Sequence, residues 1–166
     1  MADATSNVLF LCTGNSARSL LAECAMNRRG EGRLRGLSAG SRPGSAPHPL
    51  ALELLRTLGY DTSNLHSKSW EEFAGPGAPP IDFVITLCDA ARSEACPVWP
   101  GRPLTAHWGV ADPAACAGSL DERRAAFRRA YTELEPRIAR FAALPLGELG
   151  RDALQDQLER IGRDGA

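Results

Sequence analysis

The sequence has no apolar run approaching the roughly 18 residues that a membrane span requires, so no transmembrane segment is expected. It is almost without lysine: of 19 basic residues only Lys68 is not arginine. This arginine excess does not make the chain basic, because 20 acidic residues bring the net charge to −1. A nucleic-acid-binding polycation is therefore excluded. The opening MADATSN lacks a basic stretch and an apolar stretch, so no secretory signal is expected and a cytoplasmic protein is. No short C-x2-C clamp occurs. Cys88, Cys96, His107 and Cys116 have the wrong spacing for a common structural zinc site, and no metal or cofactor is expected. The five cysteines are an odd number, which favours catalytic or redox chemistry over a disulfide framework.

What is present reads as one α/β domain over 1–166, with a core of about 7–145 and an additional C-terminal helix of about 147–161. Asn7–Cys12 is a short apolar run of the kind found in buried parallel strands. Arg18–Arg29 is helix-friendly and is stopped by Gly30 and Gly32. Leu34–Gly40 is a second strand. A helix opens at Pro49 and ends before Gly59, Ser67–Phe73 reads as one helical turn, and Asp82–Cys88 and Leu104–His107 are further strands. The longest helix is expected over about Ser119–Leu144, where Phe127, Tyr131, Leu134, Ile138 and Phe141 share a face. Pro136 falls inside it and predicts a kink or local break. Cys24 sits on the inner face of the first helix as a small core residue, and Cys116 in a loop of small residues has no evident task.

The chemistry concentrates in Cys12-Thr13-Gly14-Asn15-Ser16-Ala17-Arg18-Ser19, between a strand and a helix. A loop so placed turns backbone N–H groups into a cup at a helix N-terminus, which binds tetrahedral oxyanions. Arg18 adds a planar fork for two anion oxygens. The same field favours the Cys12 thiolate, and Ser19 is within reach to donate to it. Gly14 is expected to supply an unusual backbone conformation, and Asn15 tolerates left-handed geometry. An isolated C-x5-R is common, but strand, glycine, hydroxyls and helix together point to a nucleophile.

Here the chain resembles the low-molecular-weight tyrosine phosphatases and the arsenate reductases built on the same fold. The resemblance spans about 7–145 and rests on CTGNSARS at 12–19, SAG at 38–40, TLCDAARSEACP at 86–97 and HWGVADP at 107–113. It implies a three-layer α/β/α fold with a four-stranded parallel sheet in the order 2-1-3-4. It implies Cys12 as nucleophile, Arg18 as oxyanion clamp and Asp112 as general acid. The phosphatases carry aromatic residues after the Asp-Pro, whereas here Ala114, Ala115 and Cys116 follow. The reductases carry cysteines where this chain has Cys88 and Cys96. The resemblance therefore implies an arsenate reductase in which Cys12, Cys88 and Cys96 act in relay. Thioredoxin or another thiol reductant would be the partner, and phosphate or sulfate competing anions. A phosphatase acting on phosphomonoesters is the alternative, and an oxyanion or thiol sensor without turnover a third reading. Some reductases of this family bind potassium near the loop through residues resembling Asn15, Glu23 and Ser38. Lys68 is expected to stand in for that ion.

Asp89 is a good N-cap and Pro97 a stop, so a short helix is expected over 90–95. Its rise would hold Cys88 and Cys96 about 12 Å apart. A disulfide needs Cα atoms within about 7 Å, so the segment would have to unwind in each cycle.

Overall fold

The computed structural model describes residues 5–89 and 99–164. Strand β1 (Ser6–Cys12) leads through the Cys12–Arg18 loop into helix α1 (Arg18–Arg29), followed by β2 (Leu34–Gly40), α2 (Pro49–Thr57) and a 3-10 turn at Trp70–Phe73. Then come β3 (Phe83–Thr86), β4 (Leu104–His107), a 3-10 turn at Pro113–Ala115, α3 (Leu120–Ala142) and α4 (Arg151–Asp164). The strands form one parallel sheet in the order β2-β1-β3-β4, as the resemblance implies.

Alternation along β1 splits the core. Val8 and Phe10 join Phe83 and Ile85 in a cluster that takes in the inward residues of all four of these helices. Leu9 and Leu11 join Val84, Trp70, Phe73 and Trp99 in a smaller cluster that also holds Cys12 and Cys88. A central strand buried on both faces explains the uninterrupted apolar run. The register sets Cys12 opposite Gly40 and Leu11 opposite Thr86, so β1, β2 and β3 end on one line beside the loop.

Three expectations shift. The ladder of β3 stops at Thr86, although the Leu87 amide still donates to the Leu11 carbonyl at 2.9 Å. Cys88 has therefore turned out of the sheet. The local break expected at Pro136 does not occur, for α3 runs unbroken from Leu120 to Ala142. The carbonyl that loses its partner there is that of Thr132, which is exposed and so open to water. The last helix begins at Arg151 rather than near 147. The helix expected over 90–95, and Cys96 itself, lie outside the described residues.

Helix α4 covers the open edge of the sheet. Gln155 Nε2 donates to the Thr105 carbonyl at 2.8 Å, which occupies an acceptor that an edge strand leaves unpaired. Leu158 and Ile161 enter the core, and Trp108 Nε1 donates to the Leu158 carbonyl at 3.0 Å. A side chain at Gly162 would meet the His107 carbonyl at 2.6 Å and the Trp108 ring at 2.7 Å, so glycine lets α4 close on this segment. No helix among the described residues is long and apolar enough to cross a membrane.

Candidate active site

The loop after β1 is held from outside through its carbonyls. Those of Cys12, Thr13, Gly14 and Ser16 accept from the amides of Ser41, Arg42, Gly44 and His48 at 2.8–3.2 Å. The Asn15 carbonyl accepts from Ser67 Oγ at 2.7 Å, and that of Ala17 from the Leu21 amide at 3.0 Å. With the carbonyls of Cys12–Ser16 held from outside, the amides of the loop are left for its inner side. Among the described residues no acceptor pairs with the amides of Thr13–Ala17. Helix α1 starts at this rim without a side-chain cap on Ala17 and without an acidic residue in its first turn. Clustered unpaired N–H groups at an uncompensated helix N-terminus are suited chemically to hold an oxyanion.

The left-handed residue that lets the loop turn is Asn15, at φ 48°, and not Gly14. Asn15 tolerates this conformation, and its side chain is held at both its oxygen and its nitrogen within the site. Its Oδ1 accepts from the Lys68 amide at 2.9 Å and its Nδ2 donates to Ser19 Oγ at 2.8 Å. Ser19 Oγ lies 2.9 Å from Cys12 Sγ. Gly40 is required beside the loop, since a Cβ there would fall on the Thr13 carbonyl and 2.9 Å from the Asn15 amide.

Lys68 stands among Asn15, Glu23 and Ser38. Its Nζ is 3.1 Å from the Ser38 carbonyl, 3.4 Å from Asn15 Oδ1 and 4.0 Å from Glu23 Oε1. Ser38 Oγ donates to the same Glu23 oxygen at 2.6 Å. Burial lowers the Lys68 pKa, and Glu23 and then Glu72 oppose that shift. The ammonium lies against the oxygens that would otherwise coordinate a cation, so a potassium ion does not fit beside it. Among the described residues no cluster of three or more His, Cys, Asp or Glu side chains is arranged to hold a metal.

Arg18 and Asp112 face each other across a cleft of about 440 Å³ lined also by Cys88, Asp89 and Val110. Arg18 donates to the Val110 carbonyl at 3.0 Å, and its guanidinium is 3.8 Å from the Asp112 carboxylate. Asp112 is half-exposed and caps the 3-10 turn through the Ala114 amide at 3.0 Å. Cys88 Sγ is buried and lies 3.4 Å from Thr13 Oγ1, one residue from Cys12.

The remaining cysteines and histidines separate by environment. Burial pushes the Cys24 thiol up to about 12, helped by Glu23, so it is a neutral core residue. Cys116 is partly exposed and directs its S–H to the Ala117 carbonyl at 3.5 Å. His48 caps α2 by accepting from the Leu50 amide. His107 bridges Thr86 and Asp89. Neither that bridge nor the bracing by Ser41–His48 and Ser67 was signalled by a motif, because side-chain bridges and loop contacts follow no fixed spacing.

The low molecular weight phosphotyrosine protein phosphatase family matches residues 7–156. The chain belongs to this family. Among its members, an arsenate reductase of Bacillus licheniformis is 36% identical over 135 residues, which is 81% of this chain and 94% of that protein. Two solved structures are similar to the chain in fold. The arsenate reductase of Archaeoglobus fulgidus superposes with a TM-score of 0.65 at 23% identity, covering 82% of this chain and 99% of the other. A thioredoxin-dependent arsenate reductase of Corynebacterium glutamicum superposes with a TM-score of 0.55 at 26% identity, covering 83% of this chain and 64% of the other.

Proposed function

We propose that this chain reduces arsenate to arsenite through Cys12, Cys88 and Cys96. The carrying observation is the Cys88 sulfur, 3.4 Å from Thr13 Oγ1 at the lip of an oxyanion cup built around Cys12. Phosphomonoester hydrolysis has no use for a second thiol there, whereas reduction by two electrons has. The similarity to arsenate reductases supports the same reading.

In the proposed cycle the Cys12 thiolate attacks arsenic while the N–H cup and Arg18 hold the anion oxygens. Asp112 is the acid that protonates the departing oxygen, which leaves as water. The Cys88 thiolate then attacks Cys12 Sγ. The S–S bond forms, the S–As bond breaks, and its electron pair stays on arsenic, which leaves as arsenite. Cys96 next attacks Cys88, frees Cys12 and moves the disulfide to Cys88–Cys96. Thioredoxin, or another thiol reductant of the cytoplasm, would reduce that bond. In this reading Lys68 takes the place of a cation that would brace Asn15, Glu23 and Ser38. Phosphate and sulfate are competing anions, because they share the tetrahedral charge.

The test is thiol counting with one equivalent of arsenate. Loss of two thiols with release of one arsenite supports reduction, and Cys96→Ser should trap a Cys12–Cys88 disulfide. The second reading is a phosphatase that passes through a cysteinyl-phosphate, and Asp112 beside Arg18 would serve it equally. Rapid hydrolysis of p-nitrophenyl phosphate with no thiol loss on arsenate would decide for it.

A further inference from the structure

We infer that His107 is a positioning residue for the sulfur exchange at Cys88, acting through Asp89. The inference rests on the relay reading above. His107 Nε2 is 3.1 Å from Asp89 Oδ1, and Nδ1 is 2.7 Å from Thr86 Oγ1. A carboxylate has no proton to give, so Nε2 carries the hydrogen and donates to Asp89. In the neutral ring Nδ1 then accepts from the Thr86 hydroxyl, and the ring is fixed at both nitrogens.

The base of this arm is rigid. Thr86 and His107 are paired in register at the ends of β3 and β4. The His107 carbonyl lies against Gly162 of α4, and the next side chain, Trp108, is fully buried and bonded to the Leu158 carbonyl. The outer end is different: the Asp89 side chain is 94% exposed. An arm anchored in the sheet therefore reaches out to the residue that follows Cys88.

Cys88 is thus tied on two sides, by Thr13 at its sulfur and by His107 at the neighbouring residue. Exchange requires its thiolate to approach Cys12 Sγ in line with the S–As bond that breaks. The electron pair of that bond goes to arsenic, and the two sulfurs are oxidised to the disulfide. Fixing the direction of the chain at Asp89 raises the fraction of Cys88 sulfurs so aimed. A single hydrogen bond to an exposed carboxylate contributes little net energy, so the same tie releases readily when Cys88 must turn to Cys96.

The experiment is single-turnover disulfide formation in reduced full-length protein in a Cys96→Ser background, with phosphate binding measured on each variant. His107→Ala should slow formation of the Cys12–Cys88 bond by on the order of tenfold. Its phosphate affinity should be unchanged, because the N–H cup is untouched. His107→Gln, which keeps a donor near the Nε2 position, should recover most of the rate. Asp89→Ala should slow the exchange at least as much as His107→Ala, and the double variant should be no slower than Asp89→Ala alone. Asp89 is exposed, so its substitution keeps the test available if His107→Ala does not fold. A wild-type rate in His107→Ala, additive losses in the double variant, or a parallel loss of phosphate affinity would each overturn the assignment. Arsenite release by Cys88→Ser would instead overturn the relay itself.

Discussion

Asn15 donates to Ser19 at 2.8 Å, and Ser19 Oγ lies 2.9 Å from Cys12 Sγ. The orientation of this chain is fixed at its far end. Asn15 Oδ1 accepts from the Lys68 amide, so Nδ2 must face Ser19. Asn15 thereby occupies an acceptor position on the Ser19 oxygen, and the hydroxyl proton is left for the sulfur. One hydrogen bond to a charged sulfur contributes on the order of 1.5–3 kcal/mol.

Ser19→Ala should therefore slow alkylation of Cys12 by iodoacetamide at neutral pH by roughly tenfold or more. An unchanged rate would leave the N–H cup and helix as the whole source of activation.

Replacing Cys12 by serine should leave the cup and remove the nucleophile, since a hydroxyl is not ionised at neutral pH. Arsenate turnover should fall below about one part in a thousand. Phosphate should still bind, as titration calorimetry would show.

Lys68→Ala should remove the ammonium that faces Asn15, Ser38 and Glu23, leaving the Glu23 carboxylate with Ser38 as its bonded partner. Activity should fall in the absence of potassium and recover when potassium is added. The wild type should be indifferent to the ion. Equal activity of both proteins in sodium buffer would show that the ammonium is not needed.

The cap of α2 predicts an acid sensitivity. His48 accepts from the Leu50 amide through Nδ1, which requires that nitrogen to be unprotonated. Burial lowers its pKa below the ordinary 6.5, with Arg123 pushing the same way and Asp112 opposing. The unfolded chain then takes up the proton first as the pH falls. Stability should decline as pH drops through 6.5 and level off below the folded-state value. His48→Asn keeps a capping acceptor without the titration. Urea midpoints from pH 7.5 to 5 should slope less for the variant than for the wild type.

Gly162→Ala puts a methyl group 2.6 Å from the His107 carbonyl and 2.7 Å from the Trp108 ring. Helix α4 must lift from the sheet edge, at a cost of about 1–3 kcal/mol. Gly147 has no atom within 4 Å of a built Cβ, so Gly147→Ala is the neutral control. Urea denaturation with an unchanged slope would report the difference as stability alone.

The chemistry was legible where it is local. The C-x5-R-S run needs only a strand before it and a helix after it, and backbone geometry then forms the cup. The apolar run 7–12 predicts its strand closely, because a strand buried on both faces leaves its own pattern, and the weaker patterns at 34–40 and 104–107 also fall on strands. Pro136 does not end its helix, because the carbonyl it leaves without a partner belongs to Thr132, which is exposed and so open to water. Gly14 misled. Either Gly14 or Asn15 could take the left-handed turn, and the choice fell to Asn15 because Lys68 and Ser19 bond its side chain.

By itself, then, the sequence determined the α/β class of fold and the loop that joins β1 to α1, since strand, loop and helix are each specified by neighbours within a few residues. Only the tertiary structure decided the contacts made across tens of residues: the Cys88 sulfur on Thr13, the Lys68 amide on Asn15, His107 between Thr86 and Asp89, and α4 against the edge of β4. Those contacts depend on register and on the closeness of approach that Gly40 and Gly162 permit. Neither quantity is written in any single stretch of chain, because both are set by how separately specified elements pack.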